Sequence, residues 1–388
     1  MAGYKKEIAP DVWRLWVSAG FDADYNRIRP SKTFYGSERQ AEKALALFVA
    51  EIERGNYEKP SKMIAKDLFK KWLASYGKFN LKPSTYDTYN HYLSKHVYDH
   101  KIGIVQVLKL GSADFYNLYS DLKDKKLSNK TILQIHRIMH SAFSDALSWP
   151  EIKLNRHPML GIQAPRPEKK RINKLSEDEA QTLLIAALRK APFWFFTFIS
   201  LGLTTGLRRG ELLGLRWMDI GENKLSVYQN VLRSKEHGLY IETPKDDEPR
   251  WVDVPEDTIN ILALYRVEKE KCHGLQEDKG LIFSTATGKP ISPDDVSHRM
   301  QKFITDNKLP KVTIHGLRHT NATILINRGA SLKEVSRQLG HSTTQITDTV
   351  YTEVFEAQRI QTANKLNGII PSMDKPVKDN VILFRKAK

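Results

Sequence analysis

From Thr313 to Gly340 the chain leaves little choice of local fold. His315, Arg318 and His319 stand at i, i+3 and i+4, so on a helix they share one face. That face carries a fixed cation and two imidazoles, a set suited to holding a phosphodiester. Ser331 and Glu334 read as a capping box for a short helix over 332–339, and Gly340 as its left-handed stop. His341 is therefore delivered at the end of that helix, and a second short segment leads to Tyr351. His-x-x-Arg-His alone is a weak signal, because such triplets arise by chance on ordinary amphipathic helices. Its weight depends on partners elsewhere in the chain.

Those partners lie about a hundred residues upstream. Thr204-Thr205-Gly206-Leu207-Arg208-Arg209-Gly210-Glu211-Leu212-Leu213-Gly214-Leu215 predicts an apolar helix stopped at Gly206 and a new helix opening with Arg208. Between the arginine motifs, Thr243-Pro244-Lys245-Asp246-Asp247-Glu248-Pro249-Arg250-Trp251-Val252-Asp253-Val254 reads as a hairpin with Lys245 near its tip. Arg208, Lys245, His315, Arg318, His341 and Tyr351, in this order and these local contexts, resemble the tyrosine recombinases, specifically the integrases of phages and conjugative transposons. The joint match spans most of 175–360; no single piece of it would be specific.

Composition sets the frame. A chain of 388 residues predicts two or three domains. The longest apolar run, Ala191 to Leu203, is too short to span a bilayer and reads as a buried helix. No signal peptide is visible, and one cysteine, Cys272, excludes an intrachain disulfide and a cysteine-based zinc site. A reducing cytoplasm, that of a bacterial host, fits best. The net charge of +16 points to a polyanionic partner. Residues 59–170 hold 20 Lys+Arg against 9 Asp+Glu, leaving +11. Residues 1–58 hold 9 of each, and 171–388 hold 32 against 27. The middle segment is therefore expected to grip most of the DNA backbone, with a steep salt dependence from counterion release.

Taken in order, residues 11–36 give short β-rich runs around Val12–Val17, Tyr25–Ile28 and Thr33–Tyr35, broken by Gly20, Asp22–Asp24 and Pro30. Ser37 and Gln40 cap a helix over 38–54 with Ala41, Leu45, Phe48 and Ile52 inward. A three-stranded sheet on one helix resembles the arm-type DNA-binding domain of such integrases, with Arg14, Arg27, Arg29 and Lys32 on a strand face, although its zero net charge departs from that pattern. After a linker at Tyr57–Pro60 come four helices: 62–76 after Ser61, 85–96 after Ser84, 113–124 after Ser112 and 129–148 after Ser128. Ile64, Leu68, Trp72 and Leu73 in the first, and Ile132, Ile135, Met139, Phe143 and Leu147 in the last, read as bundle core. Lys66, Lys70, Lys71, Lys123, Lys125, Lys126, Lys130 and Arg137 lie on the opposite faces. This bundle resembles the core-binding domain of the family, and Lys82-Pro83-Ser84-Thr85-Tyr86 matches a segment typical of it. A second linker, Ala164–Arg171, precedes a helix start at Leu175–Glu179, and strands are expected near 224–232, 238–243 and 250–254. A helix at 354–366 and an irregular tail follow Tyr351.

The expected fold is thus multidomain and mainly α with small β-sheets. An arm-type domain (1–57) precedes a helical core-binding domain (60–163), a mixed α/β catalytic domain (172–370) and a tail (371–388). Attack on a phosphodiester builds a second negative charge, and preorganised donors are the largest source of acceleration. Arginine suits this because its planar fork donates two bonds and stays charged, so Arg208 and Arg318 are the expected clamp. Tyr351 is the nucleophile that the resemblance implies, giving a 3′-phosphotyrosine. Lys245 is expected to protonate the leaving 5′ oxygen, with Lys235 as the competing candidate. His315 bonds a nonbridging oxygen or takes the tyrosine proton, and His341 donates to the phosphate. Glu211 matches a family acidic position that orients the site, and His319 reads as structural. Lys82 and Arg250 complete the expected DNA contacts.

No cofactor or metal is expected, since the bond energy is stored in the tyrosyl ester. The expected partners are double-stranded attachment-site DNA and three further copies of the chain, as a tetramer on DNA, and no membrane. The resemblance also admits an excisionase and a host DNA-bending protein. Two alternatives remain, a type IB-like DNA topoisomerase and an inactive DNA-binding regulator. An amino-terminal module and a post-tyrosine segment favour the integrase over the first, and the filled reactive positions argue against the second.

Overall fold

In the computed structural model, residues 2–21, 27–54, 61–152, 154, 156–168, 173–243, 250–274 and 280–340 are described. Lys245, His341, Tyr351, the helix expected at 354–366 and the tail lie outside them. The chain divides into two compact units at Glu168/Lys169, inside the stretch read as the second linker.

The first unit opens with β1 (Gly3–Ala9), β2 (Val12–Val17) and β3 (Ser31–Tyr35), an antiparallel meander in that order. The three strands are not those expected, because Gly3–Ala9 forms the first one. Its sequence hides this: as an edge strand it buries little, and its lysines and glutamate read as loop. Trp13, Leu15 and Val17 of β2 turn toward α1 (Glu38–Glu53), where they meet Ala41, Phe48 and Ile52. The Ser37 N–H donates to Gln40 Oε1 at 3.0 Å, closing the expected cap. Register separates the basic residues that were expected together. Arg14 pairs with Thr33 and Lys6, on the face away from the helix, whereas Lys32 pairs with Leu15 on the helix side. Arg27 and Arg29 are exposed in the irregular segment before β3.

The rest of this unit is a helical bundle: α2 (Ala65–Trp72), a π-helical turn at Leu73–Gly77, α3 (Lys78–Asn80), α4 (Pro83–His96), α5 (Ser112–Asp124) and α6 (Asn129–Ala146). Helix starts differ from expectation except at Ser128, whose Oγ accepts the Thr131 N–H at 3.2 Å. Pro83 takes the first position of α4. Gly111 precedes α5, where Asp114 Oδ2 accepts its N–H at 2.9 Å. Leu68, Trp72, Leu73, Ile132, Ile135, Met139 and Phe143 are core, joined by Phe69, Phe115 and Ile138, but Leu147 is exposed just past the end of α6. Trp72 Nε1 donates to Asp145 Oδ2 at 2.6 Å, which satisfies the one polar atom of a fully buried ring.

Helix α6 also carries His136 and His140 one turn apart, and His157 closes on them, its ring centroid 4.2 Å from that of His140. His157 Nδ1 accepts the Met159 N–H at 3.0 Å, so its proton sits on Nε2, which donates to the His140 carbonyl at 3.1 Å. Desolvation, then His140, Arg137 and His157, hold the His136 pKa below the ordinary 6.5, and desolvation and His157 do the same for His140. Groups with a depressed folded pKa bind fewer protons folded than unfolded when they are bases. The stability they confer is therefore present above 6.5 and lost as pH falls below it. Thermal melting followed by circular dichroism should show a falling midpoint from about pH 7.5 to about pH 5.5, and a smaller fall in a His136→Gln/His140→Gln chain. An equal fall in both chains would assign the acid sensitivity elsewhere.

The second unit runs α7 (Glu177–Lys190), α8 (Phe193–Thr205), α9 (Arg209–Gly214), β4 (Lys224–Val227), β5 (Asn230–Ser234), β6 (Gly238–Glu242), β7 (Arg250–Asp253), α10 (Glu256–His273), α11 (Pro293–Asp306), α12 (Ile314–Asn327) and α13 (Leu332–Leu339). Helix α8 is the centre of its core, buried on all sides from Phe195 to Leu203. Phenylalanine costs roughly 0.5 kcal/mol in helix propensity, but burying one contributes about 2 kcal/mol, so burial decides. The strand expected over 224–232 breaks at Tyr228–Gln229, where Gln229 Nε2 donates to the Gly214 carbonyl at 2.8 Å. β4 then pairs with β7 and β5 with β6. The strands on either side of Lys245 thus belong to two different ladders and do not form the expected hairpin with each other.

Candidate active site

Helix α8 ends at Gly206, which adopts φ 64°. A Cβ there would lie 2.4 Å from Leu339 Cδ2 and 2.8 Å from Asn321 Oδ1, so only glycine fits both the turn and the space. The last carbonyls of a helix have no intrahelical partner, and α12 supplies donors for them. Arg318 Nη1 donates to the Gly206 carbonyl at 2.7 Å, and Asn321 Nδ2 to those of Leu203 and Thr204 at 2.7 and 3.1 Å. Arg318 is 3% exposed, and its charge stands at the negative end of the α8 dipole.

Arg208 follows two residues after that carbonyl, as the cap of α9. Its N–H donates to Glu211 Oε2 at 2.8 Å and its Nη1 to Glu211 Oε1 at 2.9 Å. Glu211 is 3% exposed. Arg250, at the head of β7, reaches the same carboxylate with Nη1 on Oε1 at 2.8 Å and Nη2 on Oε2 at 2.7 Å. Burial pushes the Glu211 pKa up, but the Arg250 bonds and charge, with Arg208 behind them, prevail and hold it at about 2. The carboxylate is therefore ionised at any pH where the protein works. Arg250, expected as a DNA contact, is found turned onto Glu211 with both terminal nitrogens engaged.

His315 lies one turn before Arg318 on α12 and opens to solvent. Partial desolvation, followed by the charges of Arg318 and Arg208, lowers its pKa from the ordinary 6.5. Both arginines are thus close enough to act on one imidazole, which is neutral at physiological pH. The His319 ring stands perpendicular to that of His315 with centroids 4.7 Å apart. Thr313 begins the helix as expected of a cap residue, its Oγ1 accepting the Gly316 N–H at 3.0 Å.

Helix α13 carries the foreseen capping box, with Ser331 N–H on Glu334 Oε2 at 2.6 Å, and ends at Gly340 with φ 67°. A Cβ on Gly340 would be 2.5 Å from Arg250 Nε, so the end of α13 abuts the Arg250–Glu211 pair. His341 is the next residue in sequence.

The structure therefore brings Arg208, Glu211, His315, His319 and Arg318 together and adds Arg250 and the α13 stop. Asn321 was missed; its position one turn after Arg318, on the same face, was the available signal. In the bundle, Lys66 pairs with Asp99 at 3.2 Å and Lys71 pairs with Glu151, while Lys66 and Lys70 lie over the Tyr98 ring. Lys126, Lys130 and Arg137 are exposed and Lys82 is half-buried at the start of α4.

Two arginines, a neutral imidazole and an ionised carboxylate that braces one of the arginines are thus gathered in a mainly helical domain, a set whose charge and donors can hold an anion. The Phage integrase family model matches residues 173–358. A tyrosine recombinase XerC-like protein of Caldanaerobacter subterraneus subsp. tengcongensis is 28% identical over 384 residues, covering 92% of this chain and 96% of that one. A tyrosine recombinase of Thermosipho africanus is 31% identical over 211 residues, 54% of this chain and 67% of its own. The structure of the Tn1549 transposon integrase in complex with transposon right-end DNA superposes with a TM-score of 0.66 at 22% identity, covering 78% of this chain and all of that one. The chain belongs to the tyrosine recombinases and is a site-specific DNA recombinase.

Proposed function

We propose that the protein integrates and excises a mobile element by cleaving attachment-site DNA through Tyr351. The phenol oxygen attacks phosphorus, the bond to the 5′ oxygen breaks, and a 3′-phosphotyrosyl ester forms. Arg208 and Arg318 take the nonbridging oxygens, His315 accepts the tyrosine proton, Lys245 gives a proton to the leaving 5′ oxygen, and His341 donates to the phosphate. Religation is the reverse, with the 5′-hydroxyl of a partner duplex as the nucleophile.

The observation that carries this reading is that Arg318, buried on α12 one turn after His315, bonds the Gly206 carbonyl two residues before Arg208, so that one turn gathers both arginines and the imidazole. A neutral histidine can accept a proton, and the two arginines favour the negative charge that develops on the phosphate. Two duplexes with two cleavage positions each call for four active sites, so the working species is a homotetramer on DNA. The basic bundle face, with Lys66, Lys70, Lys71, Lys82, Lys126, Lys130 and Arg137, binds the core site. Arg14, Arg27 and Arg29 of the amino-terminal module, without Lys32 on the opposite face, bind arm-type sites, and an excisionase and a host DNA-bending protein set direction. The enzyme acts in the cytoplasm of a bacterial host.

A nicked suicide duplex, which loses its 5′ end after cleavage, tests this. A covalent adduct that maps to Tyr351, with recombinants from paired attachment sites, is the expected result. Supercoil relaxation without recombinants would indicate a topoisomerase, and no adduct would indicate a regulator.

A further inference from the structure

Arg250 is the point at which three separate stretches of the active-site domain meet. Its Nη atoms bond both oxygens of Glu211 at 2.8 and 2.7 Å. The same oxygens hold the Arg208 N–H at 2.8 Å and Nη1 at 2.9 Å. The α13 stop presses on it from another side, since a Cβ on Gly340 would lie 2.5 Å from its Nε. One guanidinium therefore links the strand that follows Lys245, the cap that bears Arg208 and the turn that leads into His341. Charge gives it a second use. A lone Glu211–Arg208 pair would be neutral and would attract a phosphate weakly. With Arg250 the trio keeps a net positive charge, and Arg208 is braced without being cancelled.

We propose that Arg250 is a positioning residue for strand cleavage: it fixes Glu211 so that Glu211 aims Arg208 at the scissile phosphate, and it seats the turn that delivers His341. The inference rests on the roles given above to Arg208, His341 and Tyr351. In this role Arg250 acts through Glu211, to which both its terminal nitrogens are bonded.

Full-length wild type, Arg250→Lys, Arg250→Ala and the double variant Glu211→Gln/Arg250→Ala should be compared on the nicked suicide duplex. The readouts are adduct rate at saturating DNA, affinity by fluorescence anisotropy, and melting. Arg250→Lys keeps the charge but loses the two-pronged bond. It should slow adduct formation on the order of tenfold to a hundredfold, the effect of a small misplacement in a preorganised site, with DNA affinity unchanged. Arg250→Ala should also acquire an acid limb in its pH–rate profile as Glu211 becomes protonatable, and the double variant, with no carboxyl there, should lose that limb. If Arg250→Ala does not fold, Arg250→Lys decides. A wild-type rate in Arg250→Lys, a loss confined to DNA affinity, or a loss matched by the unfolded fraction would overturn the assignment of Arg250 alone. A wild type with no adduct, or one attached elsewhere than Tyr351, would overturn both this inference and the reading beneath it.

Discussion

A Tyr351→Phe chain should bind its DNA as tightly as the wild type and form no covalent adduct. The substitution removes one oxygen and leaves the ring, so packing and charge are unchanged. Affinity for DNA comes largely from neutralised phosphates, and the excess of 20 Lys+Arg over 9 Asp+Glu in residues 59–170 is untouched. Chemistry has no such reserve, because no other group is expected in line with the phosphorus. Gel shift and suicide-duplex capture on the same preparation measure the two properties separately. Weaker binding with residual adduct would move the nucleophile to another residue.

Arg208→Lys should lower the adduct rate by about two to three orders of magnitude, the loss typical of removing one preorganised donor. The structure says why a conserved charge is not enough. Arg208 spends Nη1 on Glu211 Oε1 at 2.9 Å, and its planar fork has further donors for a phosphate. A single ammonium cannot hold the carboxylate and bond two phosphate oxygens in one plane. Affinity should fall far less than rate, since a cation remains. Single-turnover cleavage at saturating DNA measures this, and a rate within about threefold of wild type would remove Arg208 from the clamp.

Much of the site was legible because its residues sit on elements with strong local signals. Ser331, Glu334 and Gly340 bound a helix by short-range hydrogen bonds and a left-handed turn, and both are properties of adjacent residues. Gly206 marked the end of α8 for the same reason. The i, i+3, i+4 spacing of His315, Arg318 and His319 needed only helical geometry. Errors arose where pairing partners are distant. The charged edge strand Gly3–Ala9 passed for a loop, and one run of β-formers at 224–232 proved to be two strands in two ladders.

The sequence by itself therefore determined where α8 and α13 stop and that His315, Arg318 and His319 share one helix, since each depends on contacts a few residues long. Only the tertiary structure decided that Arg318 would cap a helix 112 residues upstream and that Arg250 would turn inward to Glu211, 39 residues before it. Nothing local distinguishes a guanidinium bound for solvent from one bound for a buried carboxylate. That choice is made by what the rest of the fold brings within reach, and by the cost of leaving Glu211 buried without a partner.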